Sequence, residues 1–322
     1  MIIPYFRGVD RPHRIPVTWT LVFINCFIFF YCSLFTQQFT NPIEHISQDQ
    51  EFFKTQGRIY ADFVLEHPER YSEVVRFKAK EAIQGSESAL RIMGARLALQ
   101  DGFFSDEILK KNLKGDDIAI QNWKVKFVKF SQSRYLHPTF LLGINYYQRE
   151  LSNLISYQFS HSGLMHLAFN MFFLLIFGTL LEPVLGGVVL LLAYLIGGIF
   201  AGYGFWAYAG LSAIPLVGSS GSISALIGIA FAMFFSKKAK FFYFLGFIRL
   251  PMWAWALYFW LLLDFAGLLK VVPGFSGQIA HSAHISGTLA GYTMGLLILL
   301  SSRTIQDRVE TTGHELLQLS RV

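Results

Sequence analysis

Six stretches of this sequence are long and apolar enough to cross a lipid bilayer, and that property limits what the chain can become. They run Ile15–Phe35, Leu164–Leu181, Val188–Ala209, Ser220–Ser236, Met252–Val272 and Ala280–Leu300. Each is near the ~20 residues that a spanning helix needs. No small-x-small cleavage site follows the first run, which is therefore expected to be a retained transmembrane helix rather than a signal peptide. The composition agrees: 15% of residues are charged, against about a quarter in an ordinary soluble domain. The expected fold is an all-α membrane protein, a bundle of six transmembrane helices with a helical extramembrane insert between the first and second.

Charge placement sets the topology and argues against a nucleic-acid partner, despite a net charge of +6. Sixteen of the 27 Lys and Arg lie between Thr36 and Glu150, among 15 Asp and Glu, so that stretch is nearly neutral. The others flank the apolar runs. Arg7, Arg11, Arg14, Lys237, Lys238, Lys240, Arg249, Arg303, Arg308 and Arg321 fall on one side of a six-span chain, and Lys270 falls on the other. The richer side is expected to be cytoplasmic, with both termini on it. The predicted divisions are a cytoplasmic N-terminus with the first helix at 1–36, an extracytoplasmic insert at 37–150, a core at 151–302 and a cytoplasmic tail at 303–322. The insert carries amphipathic stretches at Phe52–Leu65, Tyr71–Ile83, Ala89–Leu99 and Glu107–Leu113. Glycines at 197, 198, 202 and 204, and at 287, 291 and 295, mark close helix packing. Cys26 and Cys32, six apart, do not stack on one helix face and are expected to be apolar filler.

Ionisable side chains inside spans are costly and point to function. Here they and other polar residues gather at three helix starts: His161, His166 and Asn170 at the opening of the second run, Gly218-Ser219-Ser220-Gly221 at that of the fourth, and His281 and His284 at that of the sixth. Counted from the inner ends of their helices, Ser220 stands about 25 Å up, His284 about 28 Å, His166 about 24 Å and Asn170 about 18 Å. Similar heights let them meet a few Å below the outer face of a ~30 Å core. A serine hydroxyl needs a base to take its proton, and imidazole is the usual one. An oxyanion needs aimed donors. The free N–H groups of a helix start at Ser220, together with His166 and Asn170 at i and i+4, are such donors.

These patterns resemble the rhomboid family. His161, His166 and Asn170 match its His-x4-His-x3-Asn, Gly218–Gly221 its Gly-x-Ser-Gly, and Ala283-His284 with Gly287 and Gly291 its Ala-His-x-x-Gly-x-x-x-Gly. Phe177–Gly186 resembles the junction between its second and third helices. The likeness covers about 150–302. It implies an intramembrane serine endopeptidase acting by a Ser220–His284 dyad, with His166, Asn170 and the Ser220 N–H as the oxyanion site and no cofactor or metal. The substrates would be transmembrane proteins within lipid. The chain departs from the family at Ser224, where many members have an aromatic residue. It also departs in lacking the Trp-Arg pair of the first outer loop and in the length of its insert.

Other readings stay in view. Ser219 is a competing nucleophile and His281 a competing base. His161, His166, His281, His284 and Asp264 could in principle ligate a metal, though no His-Glu-x-x-His occurs. A non-catalytic rhomboid-like protein that routes transmembrane clients is the main alternative function, and a transporter a weaker one. The expected location is a multi-pass position in a membrane, by analogy the bacterial inner membrane.

Overall fold

The computed structural model describes residues 3–4, 12–36, 49–111, 118–145, 150–208, 215–235, 238–243, 246–251, 254 and 281–318. They divide into two compact units, one drawn from residues 1–30, 150–208 and 216–322 and the other from 31–149 and 209–215. The first long helix is α1 (Pro16–Thr36).

The second unit is built from α2 (Gln50–Glu66), α3 (Glu73–Ile83), α4 (Glu87–Arg91), α5 (Gly102–Lys110), α6 (Ile118–Leu136) and α7 (Pro138–Leu142), with a π-helical turn at Ile92–Leu97. Phe52, Phe63, Phe104, Trp123 and Phe127 fill its centre. Buried Gln56 is satisfied at both ends: its Nε2 donates to the Gly94 carbonyl (2.8 Å), and its Oε1 accepts from Trp123 Nε1 (3.2 Å). Asp101 caps α5 by accepting from the Phe104 N–H (3.0 Å). Its carboxylate also accepts from the hydroxyls of Tyr60 (3.0 Å) and Tyr71 (2.6 Å). Burial, and then the charge of Asp101, pushes Tyr60 above the ordinary tyrosine range, so it stays a donor. Asp101→Ala should cost this unit about 3 kcal/mol, one part a lost cap and the rest a stranded buried hydroxyl. Faster hydrogen exchange in the α2 and α5 amides of the full chain would register it, and Asp101→Asn should lose about half as much.

The other unit adds α8 (Asn153–Ser156), α9 (Leu164–Leu185), α10 (Gly187–Tyr208), α11 (Ser220–Phe234), α12 (His281–Ser301) and α13 (Arg303–Gln318). Among the described residues, four helices (α1, α9, α10 and α12) are long and apolar enough to cross a membrane, and α11 is a shorter apolar helix of 15 residues. The expected span at 252–272 lies outside the described residues apart from 254. Helix α11 is apolar around most of its surface and packs against α9, α10 and α12, as an all-round apolar helix must in a core. Its seam with α12 is backbone against backbone: a side chain at Gly291 would overlap the Ala225 carbonyl, and one at Gly228 the Thr288 carbonyl.

Helix α1 is fastened to this core at its start. Glu182, near the end of α9 and 3% exposed, accepts from the N–H groups of Val17 and Thr18 (both 2.8 Å) and from the Thr18 hydroxyl (2.6 Å). These amides have no acceptor inside their own helix, and a carboxylate there also meets the positive end of its dipole.

Two features add to the sequence expectation. Helices dominate, but the all-α expectation omitted a small antiparallel sheet of β1 (Ile3–Pro4), β2 (Lys238–Tyr243) and β3 (Gly246–Pro251) in the order β1-β2-β3. Its hairpin pairs Lys238 with Pro251 and Tyr243 with Gly246. The alternation Lys-Ala-Lys-Phe is a strand pattern, and reading those lysines only as a topology signal hides it. The C-terminal tail is largely the helix α13, which buries Val309 and donates from Arg308 to the Val184 carbonyl (3.2 Å).

Candidate active site

Ser219 occupies the N-cap position of α11, and Ser220 is the first helical residue. The Ser220 N–H is thus one of the four amides without an intrahelical acceptor. Ahead of them Gly218 has φ +111°, a backbone region that favours glycine, and its N–H donates to the Tyr157 carbonyl (2.9 Å). The chain therefore turns sharply into the helix and leaves Ser220 partly accessible at its tip. Ser220 Oγ lies 2.8 Å from Nε2 of His284, which sits in the first turn of α12. This joins the candidate nucleophile and base across the glycine seam.

His166 and Asn170 stand one turn apart near the start of α9, as their spacing requires. A Cβ added to Gly218 would sit 2.7 Å from His166 Cε1, 2.8 Å from His166 Nε2 and 3.4 Å from Asn170 Nδ2. Both polar groups therefore bear on the backbone that leads into Ser220. Asn170 Nδ2 is buried and makes no hydrogen bond, an uncompensated donor of the kind that needs an explanation. His166 Nδ1 lies 3.0 Å from Ser162 Oγ. If that hydroxyl donates to Nδ1, the ring is the tautomer that carries its proton on Nε2, the nitrogen facing Gly218.

The competing residues are buried. Ser219 is fully buried, with its Oγ 3.4 Å from His161 Nε2. His281 is buried, and its ring lies edge-on to that of His284, with centroids 6.5 Å apart. Ser224, at the position aromatic in many relatives, is also buried. Asp264 lies outside the described residues. Among the described residues, no three of His, Cys, Asp and Glu converge as metal ligands.

Residues 148–301 match the family model described as the rhomboid domain. That stretch is a rhomboid domain. RHOMBOID-like protein 6, mitochondrial, from Arabidopsis thaliana is 32% identical over 161 residues, covering 47% of this chain and 45% of the relative. The match thus spans less than half the length of that relative. Residues 37–147, nearly all of the expected insert, lie outside the rhomboid-domain match, which begins at residue 148.

Several groups around the rhomboid site were not anticipated. Ser162, four residues before His166, could have been found from that spacing. Gln158 is buried and binds three neighbours: Ser222 Oγ donates to its Oε1 (2.9 Å), and its Nε2 reaches the carbonyls of Leu154 (2.7 Å) and Leu195 (3.2 Å). Tyr157 donates its hydroxyl to the Gly198 carbonyl (2.6 Å). These two residues sit in a short 3₁₀ turn, where no helical period marks them.

Proposed function

We propose that this rhomboid is an intramembrane serine endopeptidase that hydrolyses peptide bonds in or near the transmembrane segments of membrane proteins. The observation that carries this reading is the 2.8 Å contact between Ser220 Oγ and His284 Nε2. His284 takes the hydroxyl proton as Oγ attacks the carbonyl carbon of the substrate, and the carbonyl oxygen becomes the oxyanion. The Ser220 N–H, Asn170 Nδ2 and His166 Nε2–H supply donors to it, with the Ser162 hydroxyl holding His166 in the donating tautomer. His284 then passes its proton to the leaving amine, and the acyl group stays on Ser220. Water attacks the acyl-enzyme, giving a proton to His284, which passes it to Ser220 Oγ as the acyl C–O bond breaks, and the product acid leaves with Ser220 and His284 restored.

The bond cut lies near the outer end of a substrate helix, where small residues and a weak helix below free its carbonyls from their own hydrogen bonds. The basic flanks support six crossings, with both termini cytoplasmic and the insert on the opposite side. The assignment to a bacterial inner membrane rests on analogy, and the plant relative is mitochondrial by its name.

Cleavage of a transmembrane reporter by purified wild type and Ser220→Ala, with and without chelator, tests this reading. Wild type should cut, Ser220→Ala should not, and chelator should change neither. Equal cutting by Ser220→Ala would exclude the dyad. Binding of transmembrane clients by a wild-type protein that never cuts would replace the protease with the client-routing alternative. Asn170→Ala should lower kcat by about 10²–10³-fold with little change in KM, the signature of a donor used in the transition state.

A further inference from the structure

We propose that α6 is a docking face for anionic phospholipid, adsorbed on the headgroup layer of the membrane in which the chain resides. Charge is unevenly shared along the insert. Residues 49–117 carry 11 basic and 13 acidic side chains, whereas residues 118–149 carry five basic ones (Lys124, Lys126, Lys129, Arg134 and Arg149) and none that is acidic.

Helix α6 has apolar residues on two faces. Trp123, Phe127 and Phe130 fill the core of their own unit. On the opposite side Ile118 is 76% and Val125 70% exposed, with Lys129 exposed one turn further on. At 100° per residue, positions 118, 125 and 129 fall within about 40° of one another. Lys126 flanks this stripe and is paired with Asp49, the cap of α2, whose carboxyl that ammonium holds below the usual carboxylate range.

Two aliphatic side chains seven residues apart make a stripe too narrow for the area that a stable protein interface buries. Shallow apolar insertion beside lysines is instead what adsorbs a helix to an anionic headgroup layer. The tether helps. Helix α6 ends at Leu136 and α9, a candidate span, begins at Leu164. The connecting chain keeps a lipid surface at high effective concentration, so weak adsorption suffices.

The test uses the full chain in nanodiscs of phosphatidylcholine, with and without phosphatidylglycerol. An environment-sensitive dye is placed on Val125→Cys in a Cys26→Ser, Cys32→Ser background, and a control dye on Glu69→Cys. The dye at 125 should shift to the blue and be quenched by brominated lipid in the anionic discs alone, and high salt should weaken both effects. The control dye should stay in water. Lys129→Glu should move the anionic-lipid titration about fivefold. Lys129→Arg should leave it in place, which separates charge from misfolding. A dye at 125 that is equally wet in both discs, or equally quenched in both, overturns the proposal. Shielding that appears only when a disc holds two chains also overturns it, in favour of self-association.

Discussion

Replacing His284 with alanine is expected to lower kcat/KM for a transmembrane reporter by about 10⁴-fold or more, and adding Ser220→Ala should lower it no further. In the proposed mechanism the two groups act on one proton. Without the imidazole the Ser220 hydroxyl stays protonated and is a poor nucleophile; without Oγ the imidazole has nothing to activate. Losses that multiplied in the double variant would mean that the 2.8 Å contact is not the reacting pair. His281→Ala gives the contrast. Its ring lies beside that of His284, and His284 makes the bond to Ser220, so a modest loss is expected. A loss as deep as that of His284→Ala would move the base one turn along α12.

Gly291→Leu is expected to destabilise the core by about 4 kcal/mol or more, and Gly291→Ala by about 3 kcal/mol. The first added carbon already overlaps the Ala225 carbonyl, which belongs to helix backbone and cannot rotate away as a side chain would. Helices α11 and α12 must separate. Because α11 carries Ser220 and α12 carries His284, separation also stretches the dyad, and a 1 Å misplacement can cost about 10²-fold in rate. Activity should therefore fall further in Gly291→Ala than its thermal unfolding in detergent implies. Gly163→Ala is the control. A Cβ there meets nothing within 4 Å, and the change should cost at most about 1 kcal/mol, the preference of an N-cap for glycine over alanine. Equal behaviour of the two alanine variants would mean that the seam is slack.

The catalytic candidates are readable from sequence because a polar residue is conspicuous in an apolar run. Ser220, His284, His166 and Asn170 stand out by that contrast, and their depths follow from helical rise alone. The cap made by Glu182 is not readable, since its partners Val17 and Thr18 lie more than 160 residues earlier and only tertiary folding joins them. Gln158 escapes for a related reason: it serves three elements from a short turn that has no period of its own. Two other omissions are matters of emphasis. The charge of Lys238 and Lys240 draws the eye away from their alternation with Ala239 and Phe241. Ile305 and Val309, four apart, mark an apolar face of α13 that the word tail conceals.

The Glu182 clasp also bears on how this protein could have grown. It grips α1 by main-chain amides, so it reads the position of the helix start and hardly at all the side chains there, apart from Thr18. The seat of the first helix is thereby fixed at its near end. The chain beyond its far end can lengthen or shorten at small cost, because closing a longer loop adds only about 0.6 kcal/mol per doubling. A detour of more than a hundred residues can in this way be spliced in, exchanged or cut out while the founding bundle keeps its register.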